Sequence, residues 1–199
     1  MPIFGDASTR PDEPFRPACS QLELARAILT ALERGATIIN ISAGQFGAAA
    51  TAEPILADAV ARAIRRGALV VAAAGNDGCD CTHVPAALPG VLAVGALDPA
   101  GRPLAASNWG AASRASGLVA PGAGFLAARA GGGSLTVAGT SFAAAVASGS
   151  AALLASLLLM TGQPVDGARL RRLLLDSAVR CHDDVTICQR HLAGRLDLT

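Results

Sequence analysis

Two short stretches carry the groups most able to do chemistry. In "AGTSFAAAVASG", Ser141 follows Gly139 and Thr140 where a glycine-rich run, "RAGGGSLTVAGTS", passes into a long apolar helix. A serine in a first helical turn lies beside backbone N–H groups that have no helical partner, at the positive end of the dipole. That setting stabilises an oxyanion and suits a nucleophile; the plainer role of such a serine is to cap the helix. In "VVAAAGNDG", Asn76 closes an apolar run. Its carboxamide N–H can be a donor held ready for developing negative charge, or the residue can simply turn the chain.

The cysteines form a third group. They number five, an odd count that argues against a simple disulfide framework. Cys79, Cys81 and His83 make one cluster; Cys181, His182, Cys188 and His191 make another. Thiolates and imidazoles at such spacings can hold zinc, but neither cluster has the C-x₂-C spacing of the common fingers. Buried thiols, or a Cys181–Cys188 disulfide closing a short loop, are the simpler readings. No metal and no cofactor is therefore expected.

The elements that position these groups alternate in type. "SQLELARAILTALERG" (20–35) has helical apolar spacing, a Ser20 cap with Glu23 three residues on, and Gly35 as terminator. "ATIINIS" (36–42) follows as an apolar strand. "AEPILADAVARAIRRG" (52–67) is a second amphipathic helix, with Pro54 in its first turn, and "ALVVAAAG" (68–75) a second apolar strand. "GVLAVGAL" (90–97) is a third. Helices alternating with strands that are apolar on both faces predict an α/β fold: a parallel central sheet with helices on both faces. The chain closes with a helix over 166–179.

Composition sets the limits. The chain has 199 residues, suited to one domain spanning 1–199; 52% are apolar, 16% charged and only 3% aromatic. The core must then be built from Ala, Val, Leu and Ile. A net charge of +1 gives no electrostatic footprint for nucleic acid or anionic lipid. The N-terminus shows no basic segment leading into an apolar one, so no secretory signal is visible and a cytoplasmic location is expected. Residues 139–160 are long enough to span a bilayer. They contain Thr140, Ser141, Ser148, Ser150 and Ser156, are rich in Ala, and lack flanking Trp, Tyr or a Lys/Arg cluster. The expectation is a central helix buried in an α/β domain, not a membrane span.

Taken in order, "IINISAGQ", "VVAAAGNDG", "VLAVGALD", "SNWG", "VAPG" and "GTSFAAAVASGSAALL" resemble the subtilisin family of serine proteases (peptidase S8). The resemblance runs from about Pro2 to Leu198. "CSQLELARAI", "GNDGCDCTHVPAALPGVLAVGALD" and the late cysteines are most similar to the cyanobactin maturation proteases, which cut a ribosomal precursor peptide. The resemblance implies a subtilisin-like three-layer fold and a peptide or protein substrate, such as a ribosomal precursor peptide. It makes Ser141 the nucleophile, Asn76 the oxyanion donor and the Ser141 backbone N–H a second donor. It also lines the S1 pocket with the strands around Ser42, Ala43 and Gly44 and around Ala74 and Gly75, with Thr140 beside the serine.

The same resemblance shows what this sequence lacks. The family's chain order is Asp, His, Ser, with Asp and His upstream of the strand that "PIF" near the start resembles. His83, His182 and His191 all follow that point, and Asp6 and Asp12 lack the family's surrounding signature. A serine hydroxyl is a weak nucleophile until a base takes its proton. The expectation is the C-terminal two-thirds of the domain, without its N-terminal strands. Such a piece would be nearly inert alone, with an exposed sheet edge and apolar faces that make it sticky. The second reading is a pseudo-protease or peptide-binding module. One further departure is Ala145, where the family usually has proline.

Overall fold

Ser20 and Glu23 cap each other: the Glu23 N–H donates to Ser20 Oγ at 3.2 Å and the Ser20 N–H donates to the Glu23 carboxylate at 2.9 Å. These bonds satisfy two donors that a helix start otherwise leaves unpaired, and α1 (Gln21–Glu33) begins there. The computed structural model describes residues 19–182 and 184–197. The strand expected at Met1–Phe4 and the carboxylates of Asp6 and Asp12 lie outside the described residues.

After α1 come β1 (Ile38–Ile41), the two-residue β2 (Gln45–Phe46), α2 (Pro54–Arg65) and β3 (Leu69–Ala73). Then follow β4 (His83–Val84), β5 (Leu92–Leu97), β6 (Gly117–Pro121) and the hairpin β7 (Ala123–Ala128) and β8 (Ser134–Ala138). Three helices close the chain: α3 (Thr140–Met160), α4 (Gly167–Asp176) and α5 (Val185–Gln189). The main sheet has the order β1-β3-β5-β6, and all its pairs are parallel. The expected α/β architecture is thus what the chain forms.

Every residue of β3 and β5 is buried, because helices cover both faces of the sheet. Side chains alternate along a strand, so β3 feeds two cores. Val70 and Ala72 join Ile28, Leu56 and Val60 of α1 and α2 on one face. Leu69, Val71 and Ala73 join Ala143, Ala147 and Ala151 of α3 and Leu170 of α4 on the other. A fully buried leucine such as Leu170 contributes about 1.5–3 kcal/mol through burial. The alanines matter differently: they let the α3 backbone lie close against the sheet.

Helix α3 departs from the expectation of burial all round. Its Ala143, Ala147, Ala151 and Ala155 stripe is buried, but only a third (33%) of its most apolar window is. Leu153 is 75% exposed and Met160 85%, with Leu157 and Leu159 also exposed. The physical reason is one-sided cover: sheet and α4 meet the alanine stripe, and among the described residues nothing covers the leucine stripe. By length and composition the helix could cross a membrane; packing of its alanines on the sheet gives it a structural role instead. Exposed contiguous apolar surface drives association. Replacing Leu153 and Leu157 together by serine is expected to reduce concentration-dependent self-association of the chain, measured by static light scattering.

Candidate active site

The start of α3 is held from below. Gly122, just after β6, donates its N–H to the Leu97 carbonyl at 3.0 Å and accepts from the Gly139 N–H at 2.8 Å. Gly139 has φ +148°, a conformation side chains disfavour, and a Cβ there would stand 3.3 Å from Asn76 Oδ1. A glycine at 139 therefore lets the chain swing into α3 directly beside Asn76.

Asn76 sits on the loop after β3. Its Oδ1 accepts from the Thr140 N–H at 2.9 Å and from Thr140 Oγ1 at 3.2 Å. The Thr140 N–H needs an acceptor, so the carboxamide must present its oxygen there. Its Nδ2 is left free to donate elsewhere. Thr140 Oγ1 also accepts from the Gly75 N–H at 3.3 Å, and Thr140 is fully buried. Loop and helix start are thus locked together through one threonine.

Ser141 is tied to β1's end from the other side. Its Oγ donates to the Ser42 carbonyl at 3.0 Å, and Ser42 Oγ donates to the Ser141 carbonyl at 2.8 Å. Asn40 extends the seam: its Nδ2 donates to Ser42 Oγ at 2.9 Å and its Oδ1 accepts from Ser148 Oγ at 2.9 Å. The structure therefore brings Ser42, Gly75, Asn76, Thr140 and Ser141 together. Ala43 differs from its expected neighbours in that it packs against the first core; what it can offer the groove is backbone. Asn40 and Ser148 were missed by the sequence reading. A lone asparagine in a strand and a serine in an apolar helix carry no local signal.

Asn108 was also missed as an individual residue, though "SNWG" pointed to its segment. It is 1% exposed. Its Nδ2 donates to the Asp77 carboxylate at 2.9 Å and the Ala74 carbonyl at 3.3 Å, and its Oδ1 accepts from the Asp77 N–H at 2.8 Å. Its own N–H donates to the Gly75 carbonyl at 3.1 Å. One buried amide thus fixes the loop that carries Asn76. Its hydrogen bond, with a smaller contribution from His83, holds the Asp77 carboxyl below the usual carboxylate range, against the opposing effect of burial. A lowered carboxyl stabilises the fold fully above its unfolded value, about pH 4, and that contribution fades as pH falls through the folded value. Asn108→Ala removes the acceptor of the Asp77 N–H and one partner of its carboxylate, which keeps His83. The expected cost is about 1–3 kcal/mol, read as a lower urea midpoint at pH 7, with a smaller difference from wild type at pH 3.

His83 reaches the same loop: its Nε2 lies 2.5 Å from Asp77 Oδ2. Among the described residues no imidazole accepts from Ser141 Oγ, whose bond goes to the Ser42 carbonyl. His182 and His191 line a separate hollow of about 890 Å³ with Arg102, Arg180 and Arg195. The cysteines pair as Cys79–Cys81 and Cys181–Cys188, leaving Cys19 free. Asp77, Cys79 and Cys81 place their ligand atoms close enough together for a metal ion, but two of the three are joined as a disulfide and offer no thiolate.

A parallel-sheet α/β domain whose alanine-rich helix opens on a serine, with an asparagine beside it on the loop after β3, is the architecture of one class of serine hydrolase. The sequence matches the subtilase family, Peptidase_S8, over residues 15–194, and the chain belongs to that family. It is 40% identical over 134 residues to the thermophilic serine proteinase of Bacillus sp. (strain AK1), covering 67% of this chain and 32% of that protein. Among solved structures it superposes on the patellamide maturation protease PatA with a TM-score of 0.86 at 49% identity, covering 92% of this chain and 67% of PatA's. On the PatG macrocyclase in complex with peptide the TM-score is 0.83 at 38% identity, covering 90% and 55%. The chain thus spans about a third of the curated relative and about two thirds of PatA.

Proposed function

We propose that this chain is the nucleophile-bearing part of a subtilisin-type serine endopeptidase acting on an extended peptide, such as a ribosomal precursor. The observation that carries the reading is the pair of locks around Ser141. Ser42 holds the serine from one side, while Thr140 occupies Asn76 Oδ1 and so leaves Nδ2 as the group able to donate. A substrate strand laid along Ser42–Gly44 would bring its carbonyl carbon to Ser141 Oγ. Attack forms the C–O bond as the hydroxyl proton leaves to a base, and the carbonyl oxygen becomes an oxyanion. Asn76 Nδ2 and the Ser141 N–H then donate to it. Collapse expels the amine with a proton returned by the same base, and water repeats the sequence on the acyl-enzyme.

That base, and the carboxylate that orients it, would come from outside the described residues or from a partner chain. The bond from Ser141 Oγ to a backbone carbonyl favours the second reading, a peptide-binding module without turnover, for the chain acting alone. The likeness to PatA at 49% identity supports the precursor-peptide substrate. The test compares hydrolysis of a fluorogenic peptide by the chain alone with hydrolysis by the chain joined to an N-terminal subtilase segment carrying the acid and base. Turnover only in the joined form supports the proposal. Folded but inert joined protein overturns it.

A further inference from the structure

The two loops that would flank a bound peptide do not leave an empty slot between them. β2 and β4 pair so that Phe46 lies opposite His83, and this pairing places the His83 imidazole between the loop after β1 and the loop after β3. Glycines stand at both walls. A Cβ on Gly44 would lie 3.1 Å from His83 Cβ and 3.2 Å from Nδ1; one on Gly75 would lie 2.7 Å from Cδ2 and 2.8 Å from Nε2. The ring therefore occupies room that exists only because both walls lack side chains. Its far edge is bonded to Asp77 Oδ2 at 2.5 Å, and Phe46 meets it edge-on with centroids 6.1 Å apart. The imidazole side chain is 14% exposed.

We propose that His83, braced by Asp77, is a specificity-determining plug: it fills the pocket for the residue that donates the scissile carbonyl and restricts that residue to a small uncharged side chain. The inference rests on the proposed groove, because only a peptide whose carbonyl lies at Ser141 and Asn76 drops its side chain between Gly44 and Gly75. Glycine, alanine or serine fits above the ring. Phenylalanine or leucine must displace an imidazole that two backbone walls and a carboxylate hold in place. Lysine must do the same. A pocket filled by protein atoms rejects added carbons more strongly than an open one tolerates missing carbons.

The test uses fluorescent pentapeptides that differ only in their C-terminal residue, whose carboxylate fixes the register against Ser141 and Asn76. Their dissociation constants are measured by anisotropy with the wild-type chain and with His83→Ala, His83→Gly and Asp77→Asn. Wild type is expected to bind the alanine peptide at least tenfold more tightly than the phenylalanine peptide. The two His83 substitutions are expected to bring that ratio to one or invert it. Asp77→Asn keeps a hydrogen-bond partner and is expected to retain the wild-type order. Tight binding of the phenylalanine peptide by wild type, or an unchanged ratio in both His83 variants, overturns the plug while leaving the groove standing. Absence of any peptide binding, or binding indifferent to Asn76→Ala, overturns the groove and the plug with it.

Discussion

Ser141→Ala, made in the chain joined to a segment that supplies the acid and base, is expected to lower peptide turnover by about 2 × 10⁶, the scale measured for the serine of subtilisin itself. The reason is local. Removing Oγ deletes the atom proposed to form the acyl bond, while Asn76, Thr140 and Ser42 stay in place. The Ser42 carbonyl loses one donor at a position with solvent access, so stability should change by less than about 1 kcal/mol. Peptide affinity should stay within a few-fold of wild type. Turnover falls, binding does not: a general loss of structure would lower both.

Asn76→Ala is the second large effect, and it is composite. The oxyanion loses a preorganised donor, a change of about 10²–10³ in turnover in subtilisin. Here the substitution also strands the Thr140 N–H, which donates to Asn76 Oδ1 at 2.9 Å. That adds about 1–2 kcal/mol of destabilisation, comparable to losing a helix cap. Asn76→Asp separates the two effects. It keeps an acceptor for Thr140 but removes the donor and sets a negative charge where the oxyanion forms. Stability near wild type with turnover reduced at least as far as in Asn76→Ala is the expected pattern, read from urea midpoints and steady-state kinetics side by side.

Much of this was legible before any coordinates. The Ser20–Glu23 cap, the apolar runs that became β1, β3 and β5, and the helices at 54–65 and 140–160 follow from local rules of period and capping. The nearness of Asn76 to the helix start at Thr140 was legible only through several motifs read together, since neither Asn76 nor Ser141 alone points to the other. What escaped were contacts between segments far apart in sequence. Asn108 bonds the loop thirty-odd residues before it, Ser148 bonds Asn40 across the sheet seam, and His83 fits two glycines that belong to different loops. Burial of α3 was overestimated for a related reason: its mean apolarity is high on every side, and only tertiary cover decides which stripe is hidden. The short β2–β4 bridge, which seats His83, has too few residues to carry a period.

Covalent labelling of Ser141 by a fluorophosphonate, followed by peptide mapping, tests the proposal that the described residues carry the nucleophile and an oxyanion donor while the base that activates the serine comes from elsewhere. The 199-residue chain should remain unmodified under conditions in which the joined form is labelled stoichiometrically, with the adduct on Ser141 and nowhere else. Stoichiometric adduct on Ser141 in the chain by itself, or an adduct on a different residue in the joined form, would contradict the account.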